Sequence, residues 1–161
     1  MNSVGLWLVK TQTVGTGVSS VTVTGAFSAD YDNYLVTMTG GVGNNNTNLR
    51  LVLGSASANY YSQLIYASYA GTVALANVAD NNAARWTWVG WADGNLASAR
   101  LNLYNPFLTT RTFLAVQYAD ATNAGTVNGI LGDNTSYSSF TISPAAGTLT
   151  GGTIRVYGYR N

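Results

Sequence analysis

The sequence predicts an all-β fold, an antiparallel two-sheet sandwich of jelly-roll type, on three observations. Val, Thr, Tyr, Trp and Phe recur in runs of about five to nine residues. Several of these runs alternate apolar and polar residues with the two-residue period of a half-buried strand. Clusters of Gly, Asn, Asp and Ser separate them at intervals of roughly 8–12 residues, the turn spacing of a sandwich or barrel. With 161 residues, 47% of them hydrophobic, the chain can bury one core. No linker, charge block or repeat divides it, so residues 1–161 read as one domain.

Strands are expected in order at 5–13, 18–24, 33–39, 47–54, 60–69, 85–91, 97–104, 112–119, 125–131, 137–142 and 152–159. In 47–54, Leu49, Leu51 and Leu53 share one face while Arg50 and Val52 take the other. Leu101 and Leu103 oppose Arg100, Asn102 and Tyr104, and Ile154 and Val156 oppose Arg155, Tyr157 and Tyr159, in the same way. Trp86 and Trp88 alternate with Arg85, Thr87 and Val89, which sends both Trp into the core. The best helical candidate is the Ala-rich stretch 72–84, but Asp80-Asn81-Asn82 interrupts it and no capping box frames it. Asn44-Asn45-Asn46, Asp93-Gly94-Asn95, Asp133-Asn134 and Gly151-Gly152 supply Asx bonding or positive φ for turns. Pro106 and Pro144 fall near strand ends, where a missing N–H is tolerated.

Polarity comes from amides and hydroxyls: 20 Thr, 17 Asn and 13 Ser accompany only 8% charged residues, against roughly 25% in an average soluble protein. Seven basic and six acidic side chains leave a net charge of +1. The basic residues are scattered from Lys10 to Arg160, so no converging cation patch for nucleic acid is expected. No stretch approaches the roughly 18 apolar residues of a membrane helix, and no signal peptide is indicated. A surface so poor in charge has few devices against edge-to-edge pairing, which leads to the expectation of a defined oligomer or larger assembly.

The chain has no His, Cys or Glu. Disulfides, thiolate chemistry and an imidazole base are thereby excluded, and no enzyme, cofactor or metal is expected. The one close carboxylate pair, Asp30 and Asp32 in Ser28-Ala29-Asp30-Tyr31-Asp32-Asn33, reads as a polar turn rather than a glycosidase dyad. The segment opens like a calcium loop, but Leu35 and Gly41 stand where Gly and Glu are required. Asp80, Asp93 and Asp133 read as turn residues with a looser calcium site left open. Gly40-Gly41-Val42-Gly43 reads as a hairpin loop, with no helix behind it to hold phosphate. The Asn45-Asn46-Thr47 and Asn134-Thr135-Ser136 sequons carry no function in so Asn- and Thr-rich a chain.

Aromatic side chains with polar tips concentrate mid-chain at Tyr60, Tyr61, Tyr66, Tyr69, Trp86, Trp88 and Trp91. Packing is the leading explanation, and interface or glycan contact the other. The candidate contacts are Tyr60, Tyr61, Trp91, Arg155, Tyr157 and Tyr159.

The ends carry a family resemblance. Gly5-Leu6-Trp7-Leu8-Val9-Lys10-Thr11-Gln12-Thr13, then Gly17 to Val23 and Tyr31-Asp32-Asn33-Tyr34, resembles a domain of tailed-phage virion proteins, especially of phages infecting cyanobacteria and other aquatic bacteria. The closing run Gly147 to Asn161 and the internal Asn105-Pro106-Phe107 agree. The resemblance implies a β-sandwich, usually trimeric, at the end of a tail fibre or tailspike or as a protein decorating the capsid. It brings no catalytic residues. With a first strand near Gly5 and a last one beside Asn161, the folded domain is expected to be the entire protein, which favours decoration over an autonomous fibre.

The expectation is therefore a homotrimeric cement protein on the outer capsid surface, partnered by the major capsid protein lattice. The alternative is a tail-tip module that binds host surface glycans. Neither reading involves nucleic acid or a membrane.

Overall fold

The computed structural model describes residues 5–71 and 75–160. Among the described residues there is no helix, and twelve strands form one antiparallel network: β1 (Leu6–Thr13), β2 (Val21–Val23), β3 (Asn33–Gly43), β4 (Thr47–Leu53), β5 (Tyr60–Ser68), β6 (Ala76–Ala83), β7 (Trp86–Ala92), β8 (Ala97–Tyr104), β9 (Thr112–Ala119), β10 (Asn123–Leu131), β11 (Phe140–Pro144) and β12 (Leu149–Tyr159).

The network branches at β8. Along one edge, β8 pairs with β3 from Tyr104 opposite Asn33 to Ala97 opposite Gly41. Along the other edge it changes partner: Ala97–Ala99 pair with β7, and Leu101–Tyr104 pair with β9. Three arms meet there, β3-β12-β1, β7-β4-β11-β2 and β9-β10-β5-β6. One hydrophobic cluster draws on all three, including Val36 and Ile154, Leu49 and Leu51, and Leu114 and Val127. Fully burying each such side chain contributes about 1.5–3 kcal/mol.

The alternation expected in three strands is observed. Leu49, Leu51, Leu53, Leu101, Leu103, Ile154 and Val156 are all fully buried, while Arg100 is exposed and Arg50 and Arg155 are half-buried. The Asn44–Asn46 and Asp93–Asn95 turns lie between β3 and β4 and between β7 and β8. In the second, Asp93 Oδ1 accepts the backbone N–H of Asn95 at 2.8 Å and of Leu96 at 3.0 Å.

One strand is added where none was expected, and three expectations are corrected. The described part of 72–84 contains strand β6, not a helix, and residues 72–74 lie outside the described residues. Ala76, Val78 and Asp80 are half-buried while Asn77, Ala79 and Asn81 are exposed, a period of two that alanine disguises. Asp80 is no turn residue: from within β6 it accepts Ser62 Oγ of β5 at 2.8 Å and both the N–H and Oγ1 of Thr87 of β7, at 2.9 and 2.8 Å. Gly151-Gly152 is not a turn, nor Gly40-Gly41 a loop. These pairs face each other inside β12 and β3, with Gly41 opposite Gly151, and φ is +78° at Gly40, +68° at Gly151 and +90° at Gly152. A Cβ on Gly41 would lie 2.4 Å from Gly151 O, so the close approach of two left-handed backbones requires glycine. Finally, only Trp86 of the two alternating Trp is fully buried. The β4–β7 register shifts between Leu49 and Leu51, which puts Val89 into the core and leaves Trp88 partly buried against it.

Candidate functional site

Register places the polar positions of the strands on a common outer face. Asn33 of β3 lies opposite Tyr104 of β8, Tyr104 opposite Phe113 of β9, Phe113 opposite Ile130 of β10, and Ile130 opposite Tyr61 of β5. At the other end Leu6 and Leu8 of β1 pair with Tyr159 and Tyr157 of β12. Tyr159 donates its hydroxyl to Asn102 Oδ1 at 2.6 Å, which ties β12 to β8 across β3. Two groups of large apolar side chains thus lie on this face, Leu6 and Leu8 with their tyrosine partners on β12 and Tyr104-Phe113-Ile130-Tyr61 across β8, β9, β10 and β5, with Asn33 of β3 between them. Leu8 is 57% exposed, Phe113 49%, Leu6 45% and Tyr104 38%.

Leu35, between Tyr157 and Asn102 in register, is buried but belongs to this face and not to the central cluster. Over these strands the outward positions hold amides, hydroxyls and two cations, Arg100 and Arg155, and no carboxylate. Such a composition, rich in Tyr, Phe and Arg and poor in Lys and acids, is that of a protein interface.

The same face opens into a cleft where β7 and β9 diverge from β8. The cavity, about 260 Å³, is lined by Trp91, Asp93, Ser98, Arg100, Gln117 and Asp120 among others. Trp91 donates its indole N–H to Asp93 Oδ2 at 3.0 Å. The backbone N–H of Asn95 and that indole hold the Asp93 carboxyl below the usual range. Burial would raise the Asp120 carboxyl, but the N–H groups of Thr122 and Asn123, with both side chains, hold it below its usual range as well. Both are therefore acceptors at neutral pH.

Of the expected contact residues, Tyr61, Tyr157, Tyr159 and Arg155 lie on the outer face, and Trp91 lies in the cleft. Tyr60 is a correction. It is fully buried, packs edge-on against Trp86 with centroids 4.9 Å apart, and accepts the Leu53 N–H at 2.8 Å, so it braces the core. Leu6, Leu8, Phe113, Ile130 and Gln117 were not singled out by sequence. The outward parity of Phe113 beside buried Thr112 and Leu114 is the signal that could have found it.

Asp30 accepts the Ser28 hydroxyl at 3.0 Å, and its own N–H returns to Ser28 Oγ, as in a polar turn. Among the described residues, no group of three or more acidic side chains is placed to hold a metal ion. No protein-family model matches the chain, and no curated protein matches it.

Proposed function

We propose that the chain is a structural protein of a tailed-phage virion, a homotrimeric decoration or cement protein on the outer capsid surface, with its three arms folded as a jelly-roll-like sandwich. The observation that carries this reading is the outer face: two groups of exposed Leu, Tyr and Phe side chains brought side by side by strand register, with no carboxylate among the strand positions that hold them. Exposed apolar patches of this kind mark an interaction surface. The family resemblance of the two chain ends supplies the setting, and the low charge supports contact through apolar, amide and hydroxyl groups.

The mechanism is mass action. A protein that binds only the assembled shell stabilises it by RT ln(1 + [L]/Kd), about 2.7 kcal/mol per site at 100 times Kd. Three linked copies raise the effective concentration of each contact. The test is immunogold labelling of intact virions: label over the whole head is expected, and label absent or confined to the tail overturns the reading.

A second reading, recognition of host surface glycans at a tail tip, is favoured by a different observation, the cleft beside Trp91. Label at the tail end would select it.

A further inference from the structure

The fork at β8 leaves a wedge that no backbone pairing fills. On one side of it the β7 edge carries Trp91, opposite Ser98; on the other, β9 carries Gln117. Arg100 sits on β8 between them, past the last β7 pair at Ala99 and before the first β9 pair at Leu101.

The hydrogen bonds decide what the cleft has to offer. The indole N–H of Trp91 is already given to Asp93, which fixes the ring and leaves its apolar surface to the cavity. Asp93 Oδ1 accepts two backbone N–H groups, whereas Oδ2 accepts only the indole and keeps capacity for one further donor. Asp120 is saturated: Oδ1 takes the N–H and hydroxyl of Thr122 and the N–H of Asn123, and Oδ2 takes the Asn123 amide at 3.3 Å beside the Tyr118 hydroxyl, whose one proton is shared with Asn48 Oδ1. Among the described residues the Arg100 and Gln117 side chains have no hydrogen-bond partner, so their donors, and the Gln117 carbonyl, are free for a ligand.

We propose that this cleft binds a neutral saccharide, one pyranose ring lying against Trp91 with its hydroxyls donating to Asp93 Oδ2 and accepting from Arg100 and Gln117. A sugar ring combines an apolar C–H face with hydroxyls that both donate and accept, and the cleft presents the complement of each. At about 260 Å³ the cavity is smaller than the roughly 300–1,000 Å³ of a drug-sized pocket, the scale of a single small ring. A second depression of about 260 Å³, lined by Asn102, Ala115 and Thr126, shares Arg100 and Gln117 with the first and continues the groove for a linked residue. Two carboxylates against one guanidinium disfavour an acidic sugar. The inference deepens the glycan reading and rests on it; the decoration reading does not depend on it.

The experiment is titration of the full chain with the methyl glycosides of glucose, galactose, mannose and N-acetylglucosamine, followed by Trp fluorescence and saturation-transfer NMR. At least one should bind saturably with a millimolar Kd, a single-ring affinity. Arg100→Ala and Gln117→Ala should each weaken it about tenfold, with thermal midpoints unchanged because neither side chain is in the core. N-acetylneuraminic acid should bind more weakly than the best neutral sugar. Absence of saturable binding by all four glycosides, unchanged affinity in both variants, or preference for the acidic sugar would each overturn the assignment. Virion labelling is read on a separate sample, so a tail-end location with no sugar binding would sink the cleft while leaving the tail-tip reading standing.

Discussion

The two faces of β8 and β9 are made by alternate residues of the same short strands, yet they obey different rules. Inward, Leu101, Leu103, Leu114 and Val116 are almost wholly removed from water and touch one shared cluster. Outward, Arg100, Tyr104, Phe113 and Gln117 are exposed. Volume and shape constrain the first set; the second is constrained only by cross-strand neighbours such as Tyr104 opposite Phe113. Cross-strand pairing leaves much of the Phe113 and Tyr104 rings in water, and contact with another molecule would cover it.

The largest effect expected from breaking this contrast is on the inner side. Leu101→Ala and Leu103→Ala should each lower unfolding free energy by about 2–5 kcal/mol in denaturant titrations; a loss under 1 kcal/mol, on the order of a surface change, would mean that the inner face is not the core. Next comes the glycine crossing of β3 and β12. Gly152→Ala puts a Cβ 2.7 Å from Gly41 N at φ +90°, and a cost of about 1–3 kcal/mol is expected, read from the same titrations.

The ionisation of tyrosines sharpens the contrast from another direction. Burial raises Tyr60 and Tyr118, and burial with the hydrogen bond to Asp133 pushes Tyr137 up to about 12. A phenol whose folded pKa is raised contributes stability that is complete below its unfolded pKa, about 10. That contribution is lost as pH rises toward the folded value. Thermal midpoints should therefore hold to about pH 10 and fall between about pH 10 and 12; a flat profile across that window would contradict the buried placement.

Smaller still is the outer face. Tyr104→Ser and Phe113→Ser should change monomer stability by no more than about 0.5 kcal/mol and, on the proposed decoration reading, should shift a trimer toward monomer in light scattering or abolish attachment to capsids. Loss of folding without any change in assembly would assign these rings to packing instead. The smallest effect expected is that of salt. With few charges to screen, the attachment proposed above should persist from low to moderate ionic strength, and a steep loss would show that charged groups carry the contact.

Much of this was legible locally. The Leu49-Leu51-Leu53 alternation, the Asn44–Asn46 turn and the absence of His, Cys and Glu required only neighbours in sequence, and they defined an all-β chain without thiol or imidazole chemistry. Strand β6 was not legible, because Ala and Asn conceal a two-residue period, and Asp80, which ties it to Ser62 and Thr87, reads locally as a turn residue. The Trp86–Trp88 alternation failed for a similar reason, a register shift made by the partner strand.

Which side of a strand faces in follows from a period of two, and a period is local. Which strands lie side by side follows from bulges, turns and partner changes far apart in the chain. Most strands, the inner faces of the regularly alternating ones and the excluded chemistry are therefore local properties of the sequence. Tertiary structure alone brought Leu6, Tyr104, Phe113 and Tyr159 onto one face, and opened the fork at β8 that sets Arg100 and Gln117 beside Trp91. Cross-strand register carries that information, and register is a property of pairs of segments, not of either one.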